Sequence, residues 1–176
     1  MRRGLFIVLV AAALAAAAAG CGGAGERAVA HVGATTITRE QLDETVEHFG
    51  EEAAREGKPF TDTAAVRRHL LGLLVYRARV EQGAAALGVT VPHDAVEERL
   101  QSGGEEGDAG DKGDDAFAES SVRAQLSVEG VYRRLSARIH ETDPQRRQAR
   151  RNAALERWLS ALPRRYPVRF PVRTSG

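Results

Sequence analysis

The chain has 176 residues, of which 25 are basic and 24 acidic; only 5% are aromatic and one is a cysteine. This length suits a single domain of ordinary size. The balanced charge provides no overall positive field, which argues against a nucleic-acid-binding protein. A single cysteine excludes an internal disulfide and a cysteine metal site, so the fold must be stabilised by ordinary burial of apolar side chains.

The first twenty residues are typical of a secretory leader. Arg2 and Arg3 precede the apolar run LFIVLVAAALAAAA, and small residues then lead to Cys21. This layout predicts a lipoprotein signal peptide over residues 1–20, with Cys21 as the lipidated residue. Ala18 stands where a leucine is usual, three residues before the cysteine.

Other interpretations of the leader stay open. It fits an ordinary cleaved signal peptide, and the paired arginines also fit the twin-arginine route. A membrane-spanning helix is disfavoured because the apolar run is shorter than the ~20 residues that a span needs. Either export route predicts an extracytoplasmic protein, and the lipid on Cys21 would anchor it to the cell membrane. Removing the two leader arginines leaves 23 basic residues against 24 acidic ones.

The mature chain begins with a tether and a hairpin. Residues 21–28 are rich in glycine and predict a flexible lipidated tether, followed by one domain over residues 29–176. Short β-like runs on both sides of Gly33 predict a β-hairpin. Thr38, with Gln41 three residues later, has the spacing of a capping box and predicts the start of a helix.

Apolar spacing predicts about five helices in the middle of the chain. The second begins after Asp62 or Thr63 and ends near Gly88, and the third covers residues 92–100. Residues 101–115, rich in glycine and acids, predict a mobile acidic loop. The predicted fourth helix covers residues 116–139, and the fifth begins at Asp143-Pro144 and ends near Leu162, before Pro163.

The chain ends in a β-like segment in which Val168, Phe170 and Val172 alternate with prolines and an arginine. The prolines indicate an edge strand, because proline has no N–H for a sheet. A terminal strand is poorly ordered unless it is tied down, so we expect it to pair with the hairpin. The predicted fold is therefore mainly α, with a small sheet formed by the N-terminal hairpin and the C-terminal strand.

Three segments, taken in order, resemble the SurA N-terminal and PrsA-like family of extracytoplasmic foldases. They are AVAHVGATTITREQLDETV, LLGLLVYRARVEQGAAALGVTVPHDAVEERL and ALERWLSALPRRYPVRF. The family opens with a pattern of the type V-x-G-x-x-I-T-x-x-x-L, whose places are filled by Val32 or its neighbours, Gly33, Ile37, Thr38 and Leu42. The resemblance implies a fold like that of the SurA N-terminal and trigger-factor peptide-binding domains. Family members often carry a parvulin prolyl-isomerase module, but the linker HETDPQRR is far too short to hold one.

The resemblance implies a membrane-anchored chaperone that binds unfolded exported polypeptides by apolar contact. It would need no ATP, metal or other cofactor, and without the parvulin module it would have no isomerase activity. Rim aromatics would suit such a surface, and the candidates are Phe49, Tyr76, Tyr132 and Trp158. Leu70, Leu73 and Leu74 are expected in the core. The alternative function is a dedicated lipoprotein adaptor that binds one folded envelope partner.

The sequence predicts no metal site and no catalytic centre. His48 and Glu52 lie one helical turn apart, but no second pair accompanies them, so we expect a solvated face there. The stretch from Asp108 to Glu119 resembles a calcium loop, yet it has Gly110 and Lys112 where the ion needs oxygen ligands. No serine lies in a nucleophile elbow, and no glycine run is suited to phosphate.

Overall fold

The computed structural model describes residues 27–102 and 116–171. The leader with Cys21, the predicted acidic loop beyond residue 102 and the last five residues lie outside the described residues. The elements, in chain order, are β1 (Ala28–Val32), β2 (Thr35–Thr38), α1 (Arg39–Arg55), α2 (Ala64–Ala85), α3 (His93–Ser102), α4 (Ala116–Ser136), α5 (Pro144–Arg165) and β3 (Val168–Arg169). This order confirms the predicted mainly helical fold with a small sheet.

The sheet joins the two ends of the described chain. Its strand order is β2-β1-β3, and β1 pairs antiparallel with both neighbours. In the pairing with β3, His31 lies opposite Arg169 and Val32 opposite Val168. The prediction that the C-terminal strand completes the hairpin's sheet is therefore confirmed. β3 is shorter than its sequence pattern suggests, since it ends at Arg169. Phe170 lies beyond it and is 65% exposed.

Side-chain caps set the starts of three helices, as the sequence predicts. The hydroxyl of Thr38 accepts from the N–H of Gln41 at 3.1 Å, and the Gln41 side chain accepts in return from the N–H of Thr38 at 3.0 Å. Thr63 caps α2, whereas Asp62, the alternative, pairs with Arg67. The carboxylate of Asp143 accepts from the N–H of residue 146 at 2.7 Å, which caps α5.

The predicted end of α5 is wrong. The helix continues through Pro163 to Arg165. A proline inside a helix leaves a carbonyl four residues earlier without its donor, but the last turn still closes, because the N–H of Tyr166 donates to the carbonyl of Leu162 at 2.8 Å. The loss of one bond near the helix end is therefore not enough to stop the helix.

Two other helix ends also differ from the prediction, and the end of α2 agrees with it. α4 ends at Ser136, three residues earlier than predicted, because the N–H groups of residues 138 and 139 bond to carbonyls only three residues back. α3 extends to Ser102, into the predicted loop. α2 ends at Ala85, and Gly88 then takes a φ of +69°, while the N–H of Val89 donates to the carbonyl of Ala84 at 3.0 Å. These features form the predicted glycine stop.

Helix α2 is the centre of the core and contributes to three buried clusters. The first joins it to the sheet, the second to α1 and the third to α4 and α5. Their buried members are, in that order, Ala30, Val32, Ile37, Val75 and Ala78; Leu42, Val46 and Leu70; and Val80, Ala124 and Leu162. Leu70 is buried as predicted, and Leu73 and Leu74 are half-buried. Within residues 27–102 and 116–171, every helix is too short or too polar to cross a membrane.

Candidate functional site

A cleft of about 160 Å³ lies between β2, α1, α2 and the start of α4. Ligand pockets for small molecules usually measure ~300–1,000 Å³, whereas an engineered apolar cavity of roughly 150 Å³ is known to hold benzene. The cleft therefore matches one amino-acid side chain better than a cofactor. Its lining residues are Thr35, Ile37, Gln41, Glu44, Thr45, Leu74, Arg77, Ala78, Glu81, Ala116, Phe117 and Ser120.

One face of α2 forms a wall of the cleft. Leu74, Ala78 and Glu81 follow one another at spacings of four and three residues, so their side chains lie along one side of the helix. Opposite them, Ile37 and Thr45 come from β2 and α1, and both are buried. Most of the exposed lining is apolar, although polar side chains also contribute to it.

Arg77 holds the start of α4 against α2. Its side chain is buried, with 7% of the residue exposed. The guanidinium lies 3.8 Å from the centre of the Phe117 ring, and its Nη1 donates to the hydroxyl of Ser120 at 2.8 Å. A buried charge needs such partners, because desolvation without them is strongly unfavourable. The cleft wall on the α4 side therefore depends on Arg77.

Glu81 lies one turn after Arg77 and places a carboxyl group at the cleft. Burial raises the pKa of Glu81, and the positive charges of Arg123 and Arg77 oppose this shift. When ionised, the carboxylate can accept hydrogen bonds from the N–H groups of a bound chain. The cleft thus combines a mostly apolar lining with a carboxyl group that can contact a peptide backbone.

Three rings pack together beside the cleft. Phe117 lies 5.2 Å from Phe49 in an edge-to-face arrangement and 4.5 Å from His48, measured between ring centres. The face of His48 and Glu52, predicted to be solvated, is so only in part, because Glu52 is exposed but Phe117 of α4 packs against the half-buried His48. Within the part of the chain that the structure describes, no group of three or more His, Cys, Asp or Glu residues is placed to hold a metal ion.

The four aromatic residues proposed to contact clients lie in separate surroundings. Tyr76 is 45% exposed. Phe49 packs against the α1–α2 cluster and Trp158 against the α2–α4–α5 cluster. The hydroxyl of Tyr132 accepts from the Gln148 side chain at 3.0 Å. None of the four lines the cleft, and their contact with clients stays a prediction, as does the lipidation of Cys21, which lies outside the described residues.

Sequence reasoning missed Arg77, Glu81 and Phe117 as site residues. Arg77 did carry a signal, because it follows Leu74 by three residues and precedes Val80 by three, which places a charge within an apolar stripe. Phe117 follows the glycine-rich segment, and nothing in the local pattern indicates its partner 40 residues earlier. The cleft is therefore a tertiary feature.

The sequence model of a family described as SurA-like N-terminal domain matches residues 2–111. The chain belongs to this family. The matched part of this SurA-like chain contains β1, β2 and α1 to α3, and so includes the α1 and α2 walls of the cleft. The α4 wall, α5 and β3 follow the matched part. A comparison with curated proteins gave no match.

Proposed function

We propose that this SurA-like protein is a membrane-anchored extracytoplasmic chaperone that binds unfolded exported polypeptides and has no prolyl-isomerase activity. Membership of the family supports a role associated with protein folding. The observation that carries the proposal is the cleft, which is mostly apolar, sized for one side chain and lined in part by Glu81.

The size of the cleft suits weak and reversible binding. Burying one apolar side chain contributes about 1.5–3 kcal/mol, whereas even a dissociation constant of 1 mM needs about 4.1 kcal/mol. A client must therefore make further contacts outside the cleft. Such contacts select apolar residues rather than one sequence, which suits a protein with many clients.

The proposed location rests on the leader. Residues 1–20 would direct export, and a lipid on Cys21 would keep the domain at the membrane, where exported chains emerge. The proposed lack of isomerase activity rests on the short connection between α4 and α5, which spans residues 137–143.

The test is suppression of aggregation by the lipidated full chain in neutral lipid nanodiscs. Several unrelated unfolded proteins would be diluted into buffer with the wild type, Glu44→Trp or Glu47→Trp. Both glutamates are exposed on α1, but only Glu44 lines the cleft. We expect the wild type and Glu47→Trp to suppress aggregation equally, and Glu44→Trp to be several-fold weaker because the indole covers the cleft.

Equal activity of the two variants would contradict the cleft as the binding site. Failure of the wild type on every client, together with stoichiometric capture of one folded protein from the envelope, would instead support the adaptor. Catalysis in a parallel prolyl-isomerisation assay would contradict the proposed lack of enzyme activity.

A further inference from the structure

We propose that the solvent-facing side of α5 docks on an anionic lipid surface. This side carries four exposed arginines in one row, called here the α5 arginine stripe: Arg146, Arg150, Arg157 and Arg164. The proposal goes beyond client binding, because it concerns how the domain is oriented. It rests on the proposed function only for the statement that the domain is held near a membrane.

Helix geometry places the four side chains in line. Their spacings of four, seven and seven residues, at about 100° per residue, keep them within roughly 40° of one another around the helix axis. At 1.5 Å per residue, the row extends over about 27 Å. Leu162 and the partly buried Trp158 lie on the other side of α5, where they pack against α2 and α4. The stripe therefore lies on the exposed side of α5.

The stripe is part of a strongly basic region. From Arg133 to Arg169 the sequence contains eleven arginines but only three acidic residues. Arg138 and His140, from the connection between α4 and α5, line a shallow groove together with Arg150 and Arg157. This groove extends the positive surface beyond the helix itself.

Most of the stripe's charge is not neutralised by neighbours. Arg150 pairs with Glu141 at 3.2 Å, yet its side chain is still 65% exposed. Among the described residues, the side chains of Arg146, Arg157 and Arg164 form no ion pair or hydrogen bond. These groups can therefore approach lipid phosphates without first breaking an internal contact.

The opposite charge lies on another part of the molecule. From Arg39 to Lys58 the sequence has seven acidic and three basic residues. α1 packs on α2 and the start of α4, whereas α5 packs on α2 and α4 and contributes nothing to the cleft. Docking through the stripe would bring the basic side toward an anionic surface and leave the cleft open to solvent.

The shape of the stripe favours a lipid surface over a nucleic acid. A bilayer offers anionic charge over a plane, which a straight 27 Å row of arginines can meet along its whole length. Binding of single-stranded nucleic acid usually adds aromatic side chains on which bases stack, but the one aromatic residue of α5, Trp158, is on the packed side. Cys21 is also only seven residues from Ala28, a reach of about 25 Å at most, and Ala28 begins the strand next to β3.

The test uses the single tryptophan of the chain as a fluorescence donor. The lipidated full chain is reconstituted in phosphatidylcholine vesicles that contain a dansyl-labelled headgroup lipid, with or without phosphatidylglycerol. We expect energy transfer from Trp158 to rise when the anionic lipid is present, because α5 then lies on the surface. The increase should disappear at high salt, which screens these interactions.

A triple variant and a matched control make the test specific. Arg146→Gln, Arg157→Gln and Arg164→Gln together keep helix propensity but remove three charges from the stripe. Each arginine near an anionic surface raises the ratio of docked to undocked protein about five-fold. Loss of three arginines should therefore lower this ratio roughly a hundred-fold. The control variant combines Arg39→Gln, Arg55→Gln and Arg68→Gln. It has the same net charge as the stripe variant, but its changes are at exposed positions outside α5. It should behave like the wild type.

Equal energy transfer with and without phosphatidylglycerol would overturn the docking. Equal energy transfer in the stripe variant and the control variant would also overturn it. Flotation with neutral vesicles tests the lipid anchor separately. If the anchor fails, the wild type should still float with anionic vesicles and the stripe variant should not. A wild type that does not float with anionic vesicles would overturn the docking. A stripe variant that loses affinity for single-stranded DNA while its energy transfer is unchanged would assign the stripe to nucleic acid and overturn the inference.

Discussion

A single glutamine ties the hairpin to the helical body. The side chain of Gln82 donates to the carbonyl of Val32 at 2.7 Å and accepts from the N–H of Ala34 at 3.1 Å. Its backbone carbonyl accepts from the hydroxyl of Tyr166 at 3.2 Å. One residue of α2 therefore contacts both the hairpin turn and the segment that leads into β3, so its loss would affect the two ends of the domain together.

Gly33 is required in the hairpin turn, and Gly33→Ala should destabilise the domain. Its φ is +55°, and a Cβ there would lie 2.1 Å from the side-chain oxygen of Gln82. The left-handed backbone alone costs about 1–2 kcal/mol for alanine, and displacement of Gln82 adds to this. The control is Gly72→Ala, at an open site on α2, which should gain up to about 1 kcal/mol from helix propensity. Urea unfolding of both variants measures the difference, and equal midpoints would contradict the prediction.

Glu81 should make the stability of the domain depend on pH. Burial raises the pKa of Glu81 in the folded state above the ordinary value of 4.5. At a pH between the pKa of the unfolded state and that of the folded state, Glu81 is therefore protonated only when the domain is folded. The free energy of unfolding therefore falls as the pH rises through this interval and stays lower above it. Glu81→Gln cannot ionise, so it should be more stable than the wild type at neutral pH, and this advantage should vanish in acid.

Urea unfolding over a pH series measures this effect, with Glu98→Gln, at an exposed position of α3, as the control. A constant difference between Glu81→Gln and the wild type at every pH would show that Glu81 acts through packing rather than through its charge.

At the scale of elements, α2 organises the domain because α1, α4, α5 and the sheet all pack against it. The approach of α5 is close, since a Cβ on Gly83 would lie 2.6 Å from the Leu162 side chain and 2.9 Å from that of Trp158. The absence of a side chain at Gly83 therefore lets the large residues of α5 lie directly against the backbone of α2. The cleft, by contrast, is lined by residues of α1, α2 and α4, among them the polar residues Arg77 and Glu81.

At the scale of the whole molecule, the two ends of the described chain meet in one sheet. The carbonyl of Tyr166 accepts from Nε of Arg79 at 3.0 Å, and its ring packs against the two clusters that join α2 to the sheet and to α5. β3 then pairs with β1. The last residues of the domain thus stabilise its first strand and its central helix.

Deletion of residues 166–176 should therefore destabilise the whole fold. Burial of one large side chain contributes about 1.5–3 kcal/mol and each hydrogen bond about 0.5–1.5 kcal/mol, so we expect a loss of roughly 3 kcal/mol or more. Thermal melting followed by circular dichroism measures it. The control deletes only residues 172–176 and keeps every described residue. Unchanged melting of the longer deletion would show that β3 and Tyr166 are dispensable.

The sequence by itself determined the local structure of this protein. The caps at Thr38 and Asp143, the glycine stop at Gly88 and the apolar stripes depend on residues within a few positions of one another, so their patterns can be read directly. Only the tertiary structure decided that Phe117 covers Arg77 and that Gln82 holds the hairpin, because these partners are 40 or more residues apart. It also decided that the arginine stripe of α5 is exposed, since packing against α2 and α4 determines which side of this helix is covered.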